Sequence, residues 1–217
     1  MAVMHDEDRN EQTSPHYHPI GIFFHWLMAT MVFTQLWWGW RTSSLMAGFE
    51  KSDAYVVHAQ IGAAILMVAF LRLGWRMIAP FVAPQLEKAE DLPGWQRIAA
   101  EAVHWGLYAL LIALPVSGLL MIGATAPETM ERAVGFSGFR DLDLETRARL
   151  EHFMERAHFV MIWGMLALLG MHIGAALKHY FIDRDDVLAR MIPWLGRDRP
   201  EPAGSAARKA RTANATR

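Results

Sequence analysis

The chain has 217 residues, 53% of them hydrophobic, with a formal net charge of -1 at pH 7, fourteen methionines, nine tryptophans and no cysteine. Long apolar runs and a mean hydropathy of +0.13 suit one domain and place it among membrane proteins. Without a thiol, disulfides, thiolate-held iron–sulfur clusters and covalent haem attachment through C-x-x-C-H are excluded, while histidine chemistry stays open.

The first stretch, MAVMHDEDRNEQTSPHYHP, is polar and partly acidic and lacks the basic-then-apolar order of a cleaved signal, so the first span is expected to insert and remain. Four spans follow, at about residues 20–40, 57–78, 98–122 and 157–181, each near the ~20 residues a hydrocarbon core requires. An all-α, integral membrane four-helix bundle is therefore predicted over 20–181, between a cytoplasmic N-terminal segment (1–19) and a cytoplasmic tail (182–217) that is disordered after about 196. An even number of spans puts both termini on one side. That side carries fourteen Lys and Arg against seven on the other, so the positive-inside rule places both termini in the cytoplasm. Trp37, Trp38 and Trp40 fit an interfacial aromatic belt at the far end of the first span. Arg72 and Arg76 are expected to snorkel to the cytoplasmic interface. The second connection carries prolines and reads as irregular, and Pro115 inside the third span is tolerated in a membrane. The third connection contains DLDLETRARLEHFMER, predicted to form an additional amphipathic helix on the outer surface, separate from the fourth span or running into it, with Asp141 or Asp143 as its cap.

The fourth span, AHFVMIWGMLALLGMHIGAALKHYF, carries His158 and His172 fourteen residues apart. On a helix this separates them by roughly 21 Å along the axis but only about 40° around it, so both imidazoles face one side at two depths. Ionisable groups inside a span usually face the bundle interior. Sorting the other histidines by depth pairs His25 with His172 nearer the cytoplasm and His58 with His158 nearer the outside. His104, close to the cytoplasmic end of the third span, competes with His25, and helix periodicity does not separate the two.

Two opposed neutral imidazoles on facing helices can supply both axial ligands of a haem iron, leaving no open position for O₂ and favouring electron transfer. Zinc fits less well, because a structural zinc collects four ligands at one site whereas these divide between opposite membrane halves. Packing by interhelical hydrogen bonds remains the alternative for any single histidine. Gly164 and Gly170, between the ligands, fit close helix or porphyrin approach or ordinary small-residue packing. Lys178 and His179 fit donors to a quinone carbonyl or a haem propionate, or a plain interfacial anchor.

The order and spacing of several segments resemble the bacterial cytochrome b561 family, a four-span di-haem group related to the cytochrome b subunits of nickel–iron hydrogenases. These are Y-x-P-I leading to HWLMA (Tyr17–Ala29), VHAQIG with LRLGWR (Val57–Arg76), H-x-x-LY-x-LL-x-x-LP-x-SG (His104–Gly118), and AHF followed by MHIGAALKHYFIDRDDVLARMIP, together covering most of residues 17–194. The resemblance implies two non-covalent haem b groups on His25, His58, His158 and His172, with His104 part of the pattern but outside the ligand set. It further implies an inner-membrane protein that exchanges electrons with ubiquinone, in some members taking them from superoxide on the periplasmic side.

The expected function is transmembrane electron transfer between the periplasmic side and the quinone pool, as a superoxide:ubiquinone or quinol-linked oxidoreductase. The alternatives are a cytochrome b anchor subunit of a periplasmic dehydrogenase or hydrogenase, and a cofactor-free helical scaffold. Membrane lipid, ubiquinone, and superoxide or a periplasmic redox protein are the expected partners, with no nucleic acid. Arg132, Arg140, Arg147, Arg149 and Arg156 could steer an anion, but acidic neighbours cancel their charge and favour a salt-bridged surface.

Overall fold

A computed structural model describes residues 18–82, 94–125, 139, 141–183, 188 and 191–192. Among them are four long α-helices and no strand: α1 (Pro19–Ser44), α2 (Phe49–Val82), α3 (Gly94–Thr125) and α4 (Leu144–Lys178), with one π-helical turn at His179–Asp183. All four helices are long and apolar enough to cross a membrane. The N-terminal residues up to 17, the second connection at 83–93 and the tail expected to be disordered lie outside the described residues. The bundle, Tyr17–Ala175, and the segment from Ala176 onward are two units and are described separately.

Each helix starts before the apolar stretch that hydropathy marks, and α1 to α3 also end after it, because backbone capping rather than side-chain polarity decides where a helix begins and stops. Pro19 occupies the first turn of α1, where its missing N–H costs nothing, and His18 Nδ1 accepts from the Ile20 amide at 3.4 Å. α4 begins well before its apolar part. Asp143 caps it, accepting from the Thr146 amide at 2.9 Å and the Thr146 hydroxyl at 2.6 Å. No proline interrupts the chain from there to Lys178, so the amphipathic segment forms the first turns of α4 itself, and Asp143 rather than Asp141 is the cap. Glu145 and Arg149 pair at 2.5 Å on its exposed face, as a salt-bridged surface requires, while Arg147 Nε donates to the Ala124 carbonyl at 2.5 Å and satisfies an end group of α3.

One residue from each helix supplies the centre of the core: Val32, Ile65, Leu111 and Met165 all belong to a single buried cluster. Counting seven residues either way from each reaches His25 and Gly39 on α1, His58 and Arg72 on α2, His104 and Gly118 on α3, and His158 and His172 on α4. The bundle thus has an apolar middle layer between two end layers, and the heptad spacing keeps each set on the inward seam. Small residues let α3 and α4 approach: a Cβ on Gly106 would lie 2.8 Å from Leu168 Cδ1, and one on Gly164 would lie 3.5 Å from Leu110 Cδ1. Gly170 has nothing within 4 Å of its Cβ direction and makes no such approach among the described residues. The three tryptophans of α1 divide. Trp37 and Trp40 are exposed, whereas Trp38 donates its indole N–H to the Ala54 carbonyl of α2 at 2.9 Å.

Candidate haem-binding sites

The first end layer brings His58 of α2 opposite His158 of α4, with ring centroids 6.5 Å apart. Ser117 of α3 donates its hydroxyl to its own helix at the Leu114 carbonyl (2.8 Å), which leaves the oxygen to accept from His158 Nδ1 at 2.8 Å. With Nδ1 protonated, the lone pair of His158 sits on Nε2. Gln35 of α1 lies against His58, its Nε2 being 2.9 Å from the His58 carbonyl and 3.2 Å from the ring Nε2. Glycines flank both rings: a Cβ on Gly39 would lie 3.1 Å from His58 Cε1, and one on Gly118 would lie 3.8 Å from His158 Cε1.

The second end layer brings His25 of α1 opposite His172 of α4 at 6.0 Å. His104 of α3 is also there, 5.1 Å from His172 and nearly perpendicular to it at 86°. Its Nδ1–H donates to the Ala100 carbonyl at 2.6 Å, so its Nε2 too carries a lone pair. Arg72 does not snorkel outward as expected. Its guanidinium donates to the Tyr108 hydroxyl (3.1 Å), the Phe24 carbonyl (3.2 Å) and His25 Nδ1 (3.1 Å), because three inward acceptors outweigh a route to the interface. Arg76 lies over the Trp105 and Tyr108 rings at 5.4 and 5.6 Å.

Both depth-matched pairs are therefore neighbours in the fold. A metal held at about 2 Å by one ring nitrogen of each of two trans imidazoles sets their ring centroids roughly 6 Å apart, which both pairs match. The rings of His104 and His172 are closer than that and meet edge to face. The donor set, two neutral imidazoles with no thiolate or carboxylate beside them, suits haem iron. At His58/His158 the His158 proton sits on Nδ1, and ligation through His58 Nε2 requires only the Gln35 N–H contact there to give way. At His25/His172, Arg72 occupies His25 Nδ1, and ligation through Nε2 requires the guanidinium to withdraw so that the proton can move to Nδ1. In the segment from Ala176, Lys178 and His179 both pair with Asp183, at 2.6 and 3.1 Å.

Gln35, Ser117 and Arg72 were not found as site residues from the sequence. For Arg72 the available signal was the fourteen-residue spacing, which links it to His58 as it links His158 to His172; that spacing does not reach Gln35 or Ser117.

Comparison with known proteins places the geometry in a family context. A sequence model described as prokaryotic cytochrome b561 matches residues 16–194. Cytochrome b561 homolog 2 of Escherichia coli (strain K12) is 34% identical over 186 residues, covering 83% of this chain and 93% of that protein. Cytochrome b561 homolog 1 of the same organism is 27% identical over 181 residues, covering 79% and 94%. A probable superoxide oxidase, CybB, of Yersinia pestis is 22% identical over 180 residues, covering 82% and 96%.

Proposed function

The chain belongs to the prokaryotic cytochrome b561 family of transmembrane haem b electron-transfer proteins, and from that premise we propose that it carries two haem b groups and moves electrons between the periplasmic side and the quinone pool of the inner membrane. The observation that carries this reading is the pair of facing imidazoles at each end of one bundle, 6.5 and 6.0 Å apart. His58 and His158 would hold one group and His25 and His172 the other. A haem held by such a histidine pair would supply a one-electron ferric/ferrous couple and favour electron transfer over reaction with O₂.

The chain's own part is to bind, orient and insulate. Ser117 holds the proton of His158 on Nδ1 and keeps Nε2 free. The Val32, Ile65, Leu111 and Met165 layer excludes water between the ends. Arg72 offers a positive charge that a haem propionate can offset, and His104, Lys178 and His179 are each proposed as donors to a propionate or a quinone carbonyl. Superoxide is the proposed donor, by analogy with the relative named as a probable superoxide oxidase. Each superoxide gives up one electron and leaves as O₂, and two electrons with two protons convert one ubiquinone to ubiquinol.

A pyridine haemochrome assay with a redox titration tests the cofactor reading: two b haems per chain with two midpoints are expected, and fewer than one would end it. His172→Ala should lose one haem and His158→Ala the other. Stopped-flow mixing tests the reaction. Superoxide should reduce the haems and ubiquinone reoxidise them, whereas no superoxide-driven reduction above background would leave the carrier without this donor.

A further inference from the structure

Gln35 is a half-buried polar side chain packed against His58 to which the haem reading gives no role. Its Nε2 lies 2.9 Å from the His58 carbonyl. A carbonyl only accepts, so the NH₂ end of the amide must face His58; turning the amide over would set two acceptor oxygens against each other. The same NH₂ lies 3.2 Å from the ring Nε2, which is therefore a lone pair, and the neutral ring carries its proton on Nδ1. Among the described residues, two buried side-chain atoms are left without a hydrogen-bond partner, Gln35 Oε1 and His58 Nδ1. Orphans of this kind are rare in protein interiors, and here they sit on the two side chains of one contact.

The backbone is shaped around that contact. Gln35 and Gly39 are one turn apart on α1, and His58 and Gly62 are one turn apart on α2. A Cβ on Gly39 would lie 3.1 Å from His58 Cε1 and 3.5 Å from its Nδ1, while a Cβ on Gly62 would lie 3.2 Å from Gln35 Nε2. Each polar side chain thus rests on the glycine of the opposite helix, and neither ring nor amide has room to turn freely.

We infer that Gln35 is a positioning residue for His58: bonded to its backbone carbonyl and ring, it sets the imidazole plane and keeps the proton on Nδ1, so that Nε2 is the nitrogen offered to a metal. With a metal on Nε2 the weak N–H contact there would be given up, and the bond to the carbonyl would keep the amide in place. Ser117 selects the same tautomer in His158 through the other nitrogen, accepting from Nδ1. Partners that orient a metal-bound histidine through its second nitrogen or its ring are as much a part of such sites as the ligands. The assignment rests on the reading of His58 as a haem ligand.

The test uses the full-length, haem-loaded protein. Gln35→Met keeps the length and removes the amide, and Gly62→Ala keeps the glutamine but presses on its amide. Gly74→Ala, with nothing within 4 Å of the added Cβ, is the control on the same helix. Haem content, the low-spin ferric EPR signals, which report the mutual orientation of the axial imidazole planes, and both midpoints are read. Gln35→Met and Gly62→Ala should keep two haems and alter the EPR signal and midpoint of the haem that His158→Ala lacks. The expected size is about tenfold in its oxidised-to-reduced ratio, or about 59 mV for one electron, with the other haem and the Gly74→Ala protein at wild-type values. Wild-type signals and midpoints for both haems in Gln35→Met overturn the assignment. Should Gln35→Met lose that haem altogether, Gly62→Ala decides: an altered signal upholds the assignment and an unaltered one overturns it. A wild-type chain with fewer than one haem, seen before any variant is made, overturns the haem reading and this assignment with it.

Discussion

His104 is the side chain on which the ligand assignment turns. Its Nδ1–H is fixed on the Ala100 carbonyl and its ring is nearer His172 than His25 is, at 5.1 against 6.0 Å. The proposed assignment takes His25, because the 6.0 Å spacing repeats the 6.5 Å of the other pair and leaves room for an iron between the rings. His25→Ala is therefore expected to retain one haem per chain and His104→Ala two, counted by pyridine haemochrome. The opposite result would make His104 the ligand and give His25 to Arg72.

The helices show how a heptad register converts single residues into layers. Because α1 to α4 keep their seams over two heptads, a change at one contact shifts a whole layer. Gly106→Leu should push α3 from α4, since even a Cβ there would lie 2.8 Å from Leu168 Cδ1; overpacking of this kind costs about 1–3 kcal/mol and should lower the thermal midpoint followed by circular dichroism. The start of α4 is pH-sensitive. The Thr146 hydroxyl and amide hold the Asp143 carboxyl below its ordinary range, so the cap stabilises fully above the unfolded-state value and is lost as pH falls through the lower, folded value. Asp143→Asn should remove that part of the acid-side loss of thermal stability, seen as a smaller difference between melts at neutral and strongly acid pH.

For the molecule in its membrane, orientation sets which histidine pair would face the periplasm. Fourteen of the twenty-one Lys and Arg lie in the N-terminus, the second connection and the C-terminal part, so both termini are expected in the cytoplasm and the His58/His158 layer near the periplasm. A C-terminal fusion to green fluorescent protein should fluoresce, and one to alkaline phosphatase should be inactive. The reverse pattern would put the His25/His172 layer outside and exchange the proposed entry and exit of electrons.

Much of this was legible in the chain. Span lengths follow from local apolar composition, and the facing of His158 and His172 follows from the period of a single helix, so both need no partner to be known. His25 and His58 could be matched to them because a bilayer orders residues by depth, which is nearly a one-dimensional coordinate. Contacts that close laterally were not legible. Arg72 reads as a snorkelling cation until the Phe24 carbonyl, Tyr108 and His25 are seen around it, and Gln35 reads as one polar residue in an apolar run until the His58 carbonyl fixes its amide. Depth is encoded along each helix, whereas the hydrogen bonds that orient a ring depend on which two helices meet and at what rotation, and those arise only when the bundle packs.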